Sequence, residues 1–247
     1  MALSHFPIIE LDTTDSTNNY AMQLIDANKA QQGLTIVAQT QLAGKGQRGK
    51  SWLDAPGQSL LMTIIALPKG EISTQFAFNC SIAVAVANVV QKLIQTQIHI
   101  KWPNDIIIDD KKAGGILIEN ILRGNRWTHS AIGLGLNVKQ ASFPPDLPTA
   151  TSIRIATGDD IDITALRDEM RDNIMQAVLS PVHPEKIMAQ YNEFLYKRTQ
   201  KQAFWNVNAK WEATILAAHK DGTLEVQLND GSRIFYQHGH VIWDWGL

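Results

Sequence analysis

The sequence predicts an α+β fold: a central mixed sheet with flanking helices over residues 1–200, then a small all-β unit over 201–247. Three observations predict it. Short β-rich runs alternate with helical ones through the first part of the chain. The run FAFNCSIAVAVANVVQKLI (76–94) is apolar on nearly every side, as a helix buried beneath a sheet would be. In the tail, short strands are separated by Asp221-Gly222 and Asp230-Gly231, strong hairpin signals that suggest a small barrel.

The elements follow in order. FPIIEL (6–11) reads as a strand. Ser16 or Thr17 can then start a helix through YAMQLIDAN. LTIVAQT (34–40) is a short strand, and QLAGKGQRGKSWLDAPGQ (41–58), rich in glycine and cations with no apolar period, is a loop. SLLMTIIAL (59–67) is β-rich, and the buried helix follows. IHIKW, DIIID and GGILIEN are three strands, the last two joined by the turn Asp109-Asp110-Lys111-Lys112. WTHSAIGLGLNV (127–138) is a strand containing two glycines, and FPPDLPTATS (143–152) is a Pro-rich connection. Residues 163–179 and 184–196 read as amphipathic helices.

Composition removes several function classes. The formal net charge is −2, so no general electrostatic footprint for nucleic acid is present, although a local basic patch is allowed. Cys80 is the only cysteine, which rules out an intrachain disulfide and a cysteine-based metal site. In its apolar setting it reads as a small buried hydrophobe. No basic start precedes a long apolar stretch at the N-terminus, and no 18-residue stretch reads as both apolar and free of polar breaks. The expectation is a cytoplasmic protein with no membrane and no DNA partner.

Chemistry concentrates in two stretches. Gly44-Lys45-Gly46-Gln47-Arg48-Gly49-Lys50 combines bare backbone with three cations, which suits phosphate oxygens. It matches neither the Walker A nor the dinucleotide fingerprint, and a flexible solvated loop accounts for it equally well. Trp52 just beyond is either a core residue or a ring that stacks on a base. In KWPNDIIIDDKKAGGILIEN (101–120), Asn104 and Asp105 fit an Asx-type turn, Lys112 a solvated turn charge, and Gly114-Gly115 a bulge. Together they bring a carboxylate, a cation and bare backbone onto neighbouring strands. With Gly133 and Gly135 of GLGLNV they fit a slot for a flat ligand bearing a carboxylate or phosphate.

The stretches DSTNNYA (15–21), QTQLAGKGQRGKSW (39–52), KWPNDIIIDDKKAGGILIE (101–119) and GLGLNV (133–138) closely resemble the biotin–protein ligases, in that family's order and spacing. The resemblance covers essentially the whole chain and implies a class II synthetase-like catalytic domain with an SH3-like C-terminal domain. It implies ATP, biotin and Mg²⁺, and a biotin carboxyl carrier protein as acceptor. Biotin would be activated as biotinyl-5′-AMP and then transferred to a lysine. Lys112, Lys45 and Asp105 would be catalytic. Ser16, Thr17, Asn18, Gln41, Gly44, Lys45, Gly46, Gln47, Lys112, Gly115, Gly133 and Gly135 would bind biotin. Lys45, Arg48, Lys50, Trp52, Asn104, Lys112 and Asn137 would bind ATP or the adenylate, and Trp52 would stack on adenine. The metal ligands are left open, and so is a homodimer, since some relatives dimerise edge to edge.

The chain departs from the family in reading Gly-Lys-Gly-Gln where Gly-Arg-Gly-Arg is usual, losing bidentate forks at Lys45 and Gln47. Some members carry an N-terminal DNA-binding domain; with 14 residues ahead of Asp15, a single-function ligase is expected. Two rival readings are a lipoate–protein ligase, which shares the fold and the acyl-adenylate logic, and a non-catalytic biotin-sensing module.

Overall fold

The computed structural model describes residues 6–206 and 209–243; the charge pattern read at residues 1–5 lies outside them. β1 (Ile8–Thr14) leads into α1 (Thr17–Asp26) and returns as β2 (Thr35–Gln41), parallel to β1. There follow β3 (Ser59–Ala66), α2 (Gln75–Gln91), β4 (His99–Lys101), β5 (Asp105–Ile108), β6 (Lys111–Arg123) and β7 (Arg126–Asn137). The seven strands form one sheet in the order β1-β2-β3-β7-β6-β5-β4, and every pair except β1/β2 is antiparallel. The expected mixed sheet is present.

Strand alternation gives this sheet two different faces. Leu60, Met62 and Ile64 of β3 and Ile132, Leu134 and Leu136 of β7 point one way, into the main core with Ile82, Val86 and Val89 of α2. Ile65 and Ala131 point the other way and meet Ile36 of β2 and Ala21 and Ile25 of α1. β3 is covered on both sides, so it reads as a continuous apolar run rather than an alternating one.

Two helices pack on α2 from outside: α4 (Ile163–Leu179) and α5 (Pro184–Phe194). Asp162 caps α4 by accepting from the Thr164 N–H at 2.8 Å, and α5 opens on proline. An unforeseen short helix, α3 (Ile153–Thr157), follows the Pro-rich connection. Ser152 caps it and Gly158, at φ 81°, ends it, leaving too few residues for an apolar period to show.

The stretch 72–91 is by length and mean hydropathy, 1.3, apolar enough to cross a membrane, although Asn79, Ser81 and Asn88 break it as the sequence reading requires. In the fold it is the core helix: Phe78, Ile82, Val86 and Val90 are buried against protein. Cys80 is also enclosed, and burial pushes its thiol pKa well up. It is the small hydrophobe that its sequence setting suggests.

A second sheet comprises β8 (Lys201–Trp205), β9 (Lys210–Ala218), β10 (Leu224–Gln227), β11 (Arg233–Tyr236) and β12 (Ile242–Trp243), in the order β11-β10-β9-β8-β12. Both Asp-Gly signals form turns, Asp221 accepting from Thr223 N–H and Asp230 from Ser232 N–H. This five-stranded antiparallel sheet is consistent with the expected small β unit, and β11 and β12 do not pair among the described residues.

The Gly114-Gly115 pair divides into two jobs. A Cβ on Gly114 would lie 2.9 Å from the Gly135 carbonyl and 3.0 Å from Leu136 Cδ1, so the close approach of β7 requires glycine there. A Cβ on Gly115 would meet only ordinary contacts, the nearest at 3.5 Å. Gly114→Ala is therefore expected to lower the unfolding free energy by about 1–3 kcal/mol. Gly115→Ala should stay within about 0.5 kcal/mol of the parent. Urea denaturation of both variants checks the contrast.

Candidate active site

The face of the sheet that carries α1 is left bare beyond that helix, and a pocket of about 210 Å³ opens there. Its floor is a row of residues directly opposite one another across neighbouring strands. Lys101 of β4 pairs with Asp105 of β5, Asp105 with Gly115 of β6, and Gly115 with Gly135 of β7. The two glycines leave a flat strip between the charged end of the row and Leu61 of β3.

Lys112 joins this row because β6 is irregular. Residues 112 and 115 are an odd number apart and in a regular strand would face opposite sides. The register instead shifts between Ile106 and Ile107, so that Ala113 is an extra residue in β6. This bulge turns Lys112 onto the face of Gly115 and Asp105. Its Nζ lies 2.7 Å from Asp105 Oδ1, and a Cβ on Gly115 would be 3.5 Å from that Nζ. The expected placement of Lys112 on an exposed turn is corrected. The turn uses only Asp109 and Asp110, both at positive φ, and Lys112 is a half-buried strand residue. Its backbone is held from the other side, donating to Thr149 carbonyl and accepting from Thr151 N–H.

The far end of the pocket is neutral. Ser16 precedes α1 but makes no capping bond with its side chain, although it was a candidate cap. Gln41 does that work from β2: its Oε1 accepts from the Thr17 N–H at 2.8 Å and from the Thr17 hydroxyl at 3.1 Å. Asn18 is fixed at both ends of its amide. Its Oδ1 lies 2.6 Å from the Thr63 hydroxyl, and its Nδ2 donates to Glu119 at 2.8 Å and to the Leu117 carbonyl. Thr63 is the strand neighbour of Gly133, and a Cβ on Gly133 would collide with Asn18 Oδ1. The glycine therefore makes room for the asparagine where it lines the pocket. Thr63 was not foreseen, because it lies inside an apolar run.

The basic loop folds over the pocket as a small hairpin. Lys45 pairs with Ser51, Gly46 N–H donates to Lys50 carbonyl at 2.6 Å, and Trp52 N–H to Gly44 carbonyl at 2.8 Å. Arg48, at φ 57° and ψ 40°, turns the tip. Trp52 lies on Gly135, where an added Cβ would come within 2.8 Å of the indole, and its ring centre is 5.9 Å from Lys112 Nζ. The ring is thus part of the slot itself. Trp52 Nε1 and Gln47 Oε1 are buried without hydrogen-bond partners.

All the predicted site residues line this pocket except Gly44 and Asn137. Gly44 lines a separate cavity behind the loop. Asn137 is buried at the end of β7, donating to the Thr151 carbonyl at 2.9 Å, so it anchors the 138–151 connection. Asn104 lines the pocket and clips its turn to β6, Nδ2 donating to the Ile116 carbonyl at 2.5 Å. Sequence reading missed Lys101 and His238. The three-residue link Trp102-Pro103-Asn104 places Lys101 opposite Asp105, a register signal that was available. No local signal could reveal His238, which arrives from the second sheet.

Lys45, Arg48, Lys50, Lys101 and Lys112 face the single carboxylate Asp105 in this pocket. Lys101 carries the consequence: burial, then Lys112 and Lys50, outweigh the opposing pull of Asp105 and push its pKa down to about 8. Among the described residues no group of three or more His, Cys, Asp or Glu could hold a metal ion.

Residues 10–137 match the model of the Biotin/lipoate A/B protein ligase family, just over half of the chain. The chain belongs to this family. Among curated relatives, it is 36% identical over 158 residues to the bifunctional ligase/repressor BirA of Bacillus spizizenii, covering 63% of this chain and 48% of that one. It is 30% identical over 158 residues to the biotin–[acetyl-CoA-carboxylase] ligase of Paracoccus denitrificans, covering 62% and 65%. The chain thus spans about half the length of the first of these relatives. Among solved structures, the biotin protein ligase of Aquifex aeolicus in complex with biotin and ATP superposes with a TM-score of 0.80 at 20% identity, covering 96% of this chain and 98% of that one. That likeness extends over both sheets and shows the fold of a family member.

The depressed Lys101 pKa has a direct test. Competitive acetylation followed by mass spectrometry should show Lys101 half deprotonated near pH 8, while exposed lysines titrate at about 10.4. Its neutral fraction must rise as pH passes 8, because burial disfavours the charged form. An ordinary value for Lys101 refutes the crowding of cations described above.

Proposed function

We propose that this chain is a biotin–protein ligase. The observation that carries this reading is the polarity of the pocket. One end is uncharged and rich in fixed hydrogen-bonding groups, the other is cationic, and Lys112 stands at the boundary beside Asp105. An uncharged ureido ring fits the first end, a carboxylate the boundary, and a triphosphate the second. The dithiolane of lipoate could not use Ser16, Thr17 or Asn18, so the polar end favours biotin over the sister substrate. The names of the curated relatives, biotin ligases among them, support the same choice.

In the first step the biotin carboxylate oxygen attacks the α-phosphorus of ATP and pyrophosphate leaves. In the second, a neutral lysine amine of the acceptor attacks the acyl carbon, forming an amide and releasing AMP and a proton. Carboxylate and triphosphate repel each other, so the site must supply positive charge in a fixed place. Lys112 bridges the carboxylate and the α-phosphate, and Lys45, Arg48 and Lys50 neutralise the phosphates from the loop. Trp52 gives the slot an aromatic face. Asp105 holds Lys112 in position and is the carboxylate that an Mg²⁺ arriving with the triphosphate would meet; a nucleotide-borne ion suits the donor set better than a resident one. The acceptor is a biotin carboxyl carrier protein.

Incubation with α-labelled ATP and either biotin or lipoate tests this, scored for acyl-adenylate. Biotin alone should give product; product from lipoate alone, or from neither, overturns the reading. Lys112→Ala should reduce adenylate formation about 10²–10³-fold, the usual cost of removing one transition-state donor. Its circular dichroism and unfolding midpoint should remain near those of the parent. Product at the parental rate would remove Lys112 from the mechanism.

The loop should act as a lid. It buries two unpaired polar atoms without ligand, each costing about 1–3 kcal/mol, so its closed position is weakly held. Trypsin should cut quickly after Lys45, Arg48 and Lys50 in the free protein. Biotin should protect weakly and biotin plus ATP strongly, because the adenylate supplies counter-charge and excludes water. Equal cleavage rates in all three conditions would refute the lid.

A further inference from the structure

Gly133 leaves a gap between its two strand partners, Thr63 of β3 and Leu117 of β6, and Asn18 of α1 bridges it. Glu119 follows Leu117 by two residues and so lies on the same face of β6. Asn18 is 3% exposed, and its Nδ2 donates to two acceptors, Glu119 Oε2 at 2.8 Å and the Leu117 carbonyl at 3.3 Å. These two acceptors fix the amide, because the reversed orientation would set Oδ1 against a carboxylate and a carbonyl. Oδ1 therefore faces Thr63, 2.6 Å from its hydroxyl oxygen. An amide oxygen cannot donate, so the single hydroxyl proton of Thr63 is directed to Asn18. The Thr63 oxygen also lies 2.8 Å from Thr17 Oγ1. With the Thr63 proton engaged, the Thr17 proton goes to Thr63 or to Gln41 Oε1, 3.1 Å away. Either way no proton within this chain of bonds is aimed at the lone pairs of Thr17 Oγ1, and Thr17 lines the pocket.

We propose that Glu119 and Thr63 are specificity-determining positioning residues: through Asn18 they hold Thr17 as a hydrogen-bond acceptor and so select a ligand ring that presents an N–H at this wall. The proposal rests on the ligase reading above, in which that ring is the ureido ring of biotin. Neither residue lines the slot, so both act through others. Thr63 is fully buried, and half-buried Glu119 lines the cavity behind the basic loop. Lys45, Arg48 and Lys50 line that cavity too, yet among the described residues Glu119 forms no ion pair; it accepts from Asn18 instead. A polar chain running from Glu119 through Asn18 and Thr63 to Thr17 crosses three strands of a sheet that is otherwise packed with apolar side chains. Its direction is set at the Glu119 end. With the amide reversed, Thr63 would donate to Thr17 and take up one of its lone pairs, leaving a poorer acceptor for a ligand N–H. A ring without an N–H would leave the Thr17 acceptor unpaired in a buried wall, which is the kind of mismatch that discriminates strongly between ligands.

Four variants separate recognition from packing. Thr63→Val and Glu119→Met remove the hydroxyl and the acceptor at nearly constant volume; Thr63→Ser and Glu119→Gln retain them. Isothermal titration of each protein uses biotin and its two ring-methylated forms, in each of which one ureido N–H is replaced by N–CH₃. The parent should bind biotin about tenfold or more tightly than one of the methylated forms. Thr63→Val and Glu119→Met should each weaken biotin about tenfold, the loss of one hydrogen bond, and leave that methylated form within about twofold. In the adenylation assay both should raise the KM for biotin about tenfold and leave kcat and the KM for ATP within about twofold. Thr63→Ser and Glu119→Gln should recover most of the discrimination. Equal losses for biotin and the methylated form would mark a packing role and overturn the proposal. So would parental discrimination in Glu119→Met, which keeps the test intact should the fully buried Thr63→Val fail to fold. Glu119→Gln as impaired as Glu119→Met would trace the effect to charge beside the basic loop and overturn it too. A parent that binds biotin and both methylated forms alike also overturns it. A parent that binds no biotin overturns both this proposal and the ligase reading. One that binds biotin but forms no acyl-adenylate overturns only the ligase reading, and the titrations still decide the roles of Glu119 and Thr63.

Discussion

One extra residue in a strand makes the site possible. Without the bulge at Ala113, β6 would alternate regularly and the Lys112 side chain would enter the α2 face of the sheet. There it would be a buried cation among Ile, Leu and Val, at a cost that no partner on that face could offset. With the bulge, the cation meets Asp105 at 2.7 Å and overlies Gly115. The bulge also frees the Lys112 backbone from β5, and the segment 149–151 takes up both its N–H and its carbonyl. The long connection after β7 is thereby tied to the residue on which the proposed chemistry depends, and Asn137 fastens the same connection from the other end.

The charge balance in the pocket runs against that of the chain. A protein of net charge −2 gathers five cations around one carboxylate. Like charges at this spacing repel unless a counter-ion enters, and the low dielectric of the pocket makes the repulsion stronger than in water. Lys101 expresses that repulsion as a lowered pKa. The arrangement leaves the free protein frustrated at one place and satisfied when a polyanion binds, which is the departure from local consistency expected at a functional site. Gln47 in place of a second arginine reduces this frustration slightly at the loop.

Much of this was legible in the chain. The two glycine pairs, KWPND and the basic loop announced a slot, and the alternation of apolar runs announced the sheet. What could not be read were features set by register or by distant sequence. Gly114-Gly115 reads as a bulge and one lies beside it, at Ala113, but the pair is explained as readily by the close approach of β7, and nothing local says that the shift turns Lys112 onto the pocket face. Thr63 orients Asn18 but is hidden in an apolar run, because a strand buried on both faces gives no alternation to break. Asn137 carries the end of a recognised motif, yet its side chain turns away from the pocket to hold backbone. His238 comes from the second sheet, a hundred residues beyond the last of the motifs.

The two faces of the large sheet divide stability from chemistry. On the α2 side every strand contributes branched apolar side chains, and a fully buried Leu or Ile there is worth about 1.5–3 kcal/mol. On the α1 side the strands are stripped to glycine beyond the helix, and polar side chains stand in fixed hydrogen bonds instead. Adjacent residues of one strand therefore answer to different demands. Gly114 serves packing and Gly115 serves the slot; Ile132 and Leu134 serve the core while Gly133 makes room for Asn18. Strand alternation is what permits this separation, and it explains how a ligand strip of bare backbone can cross the middle of a well-packed sheet without weakening it.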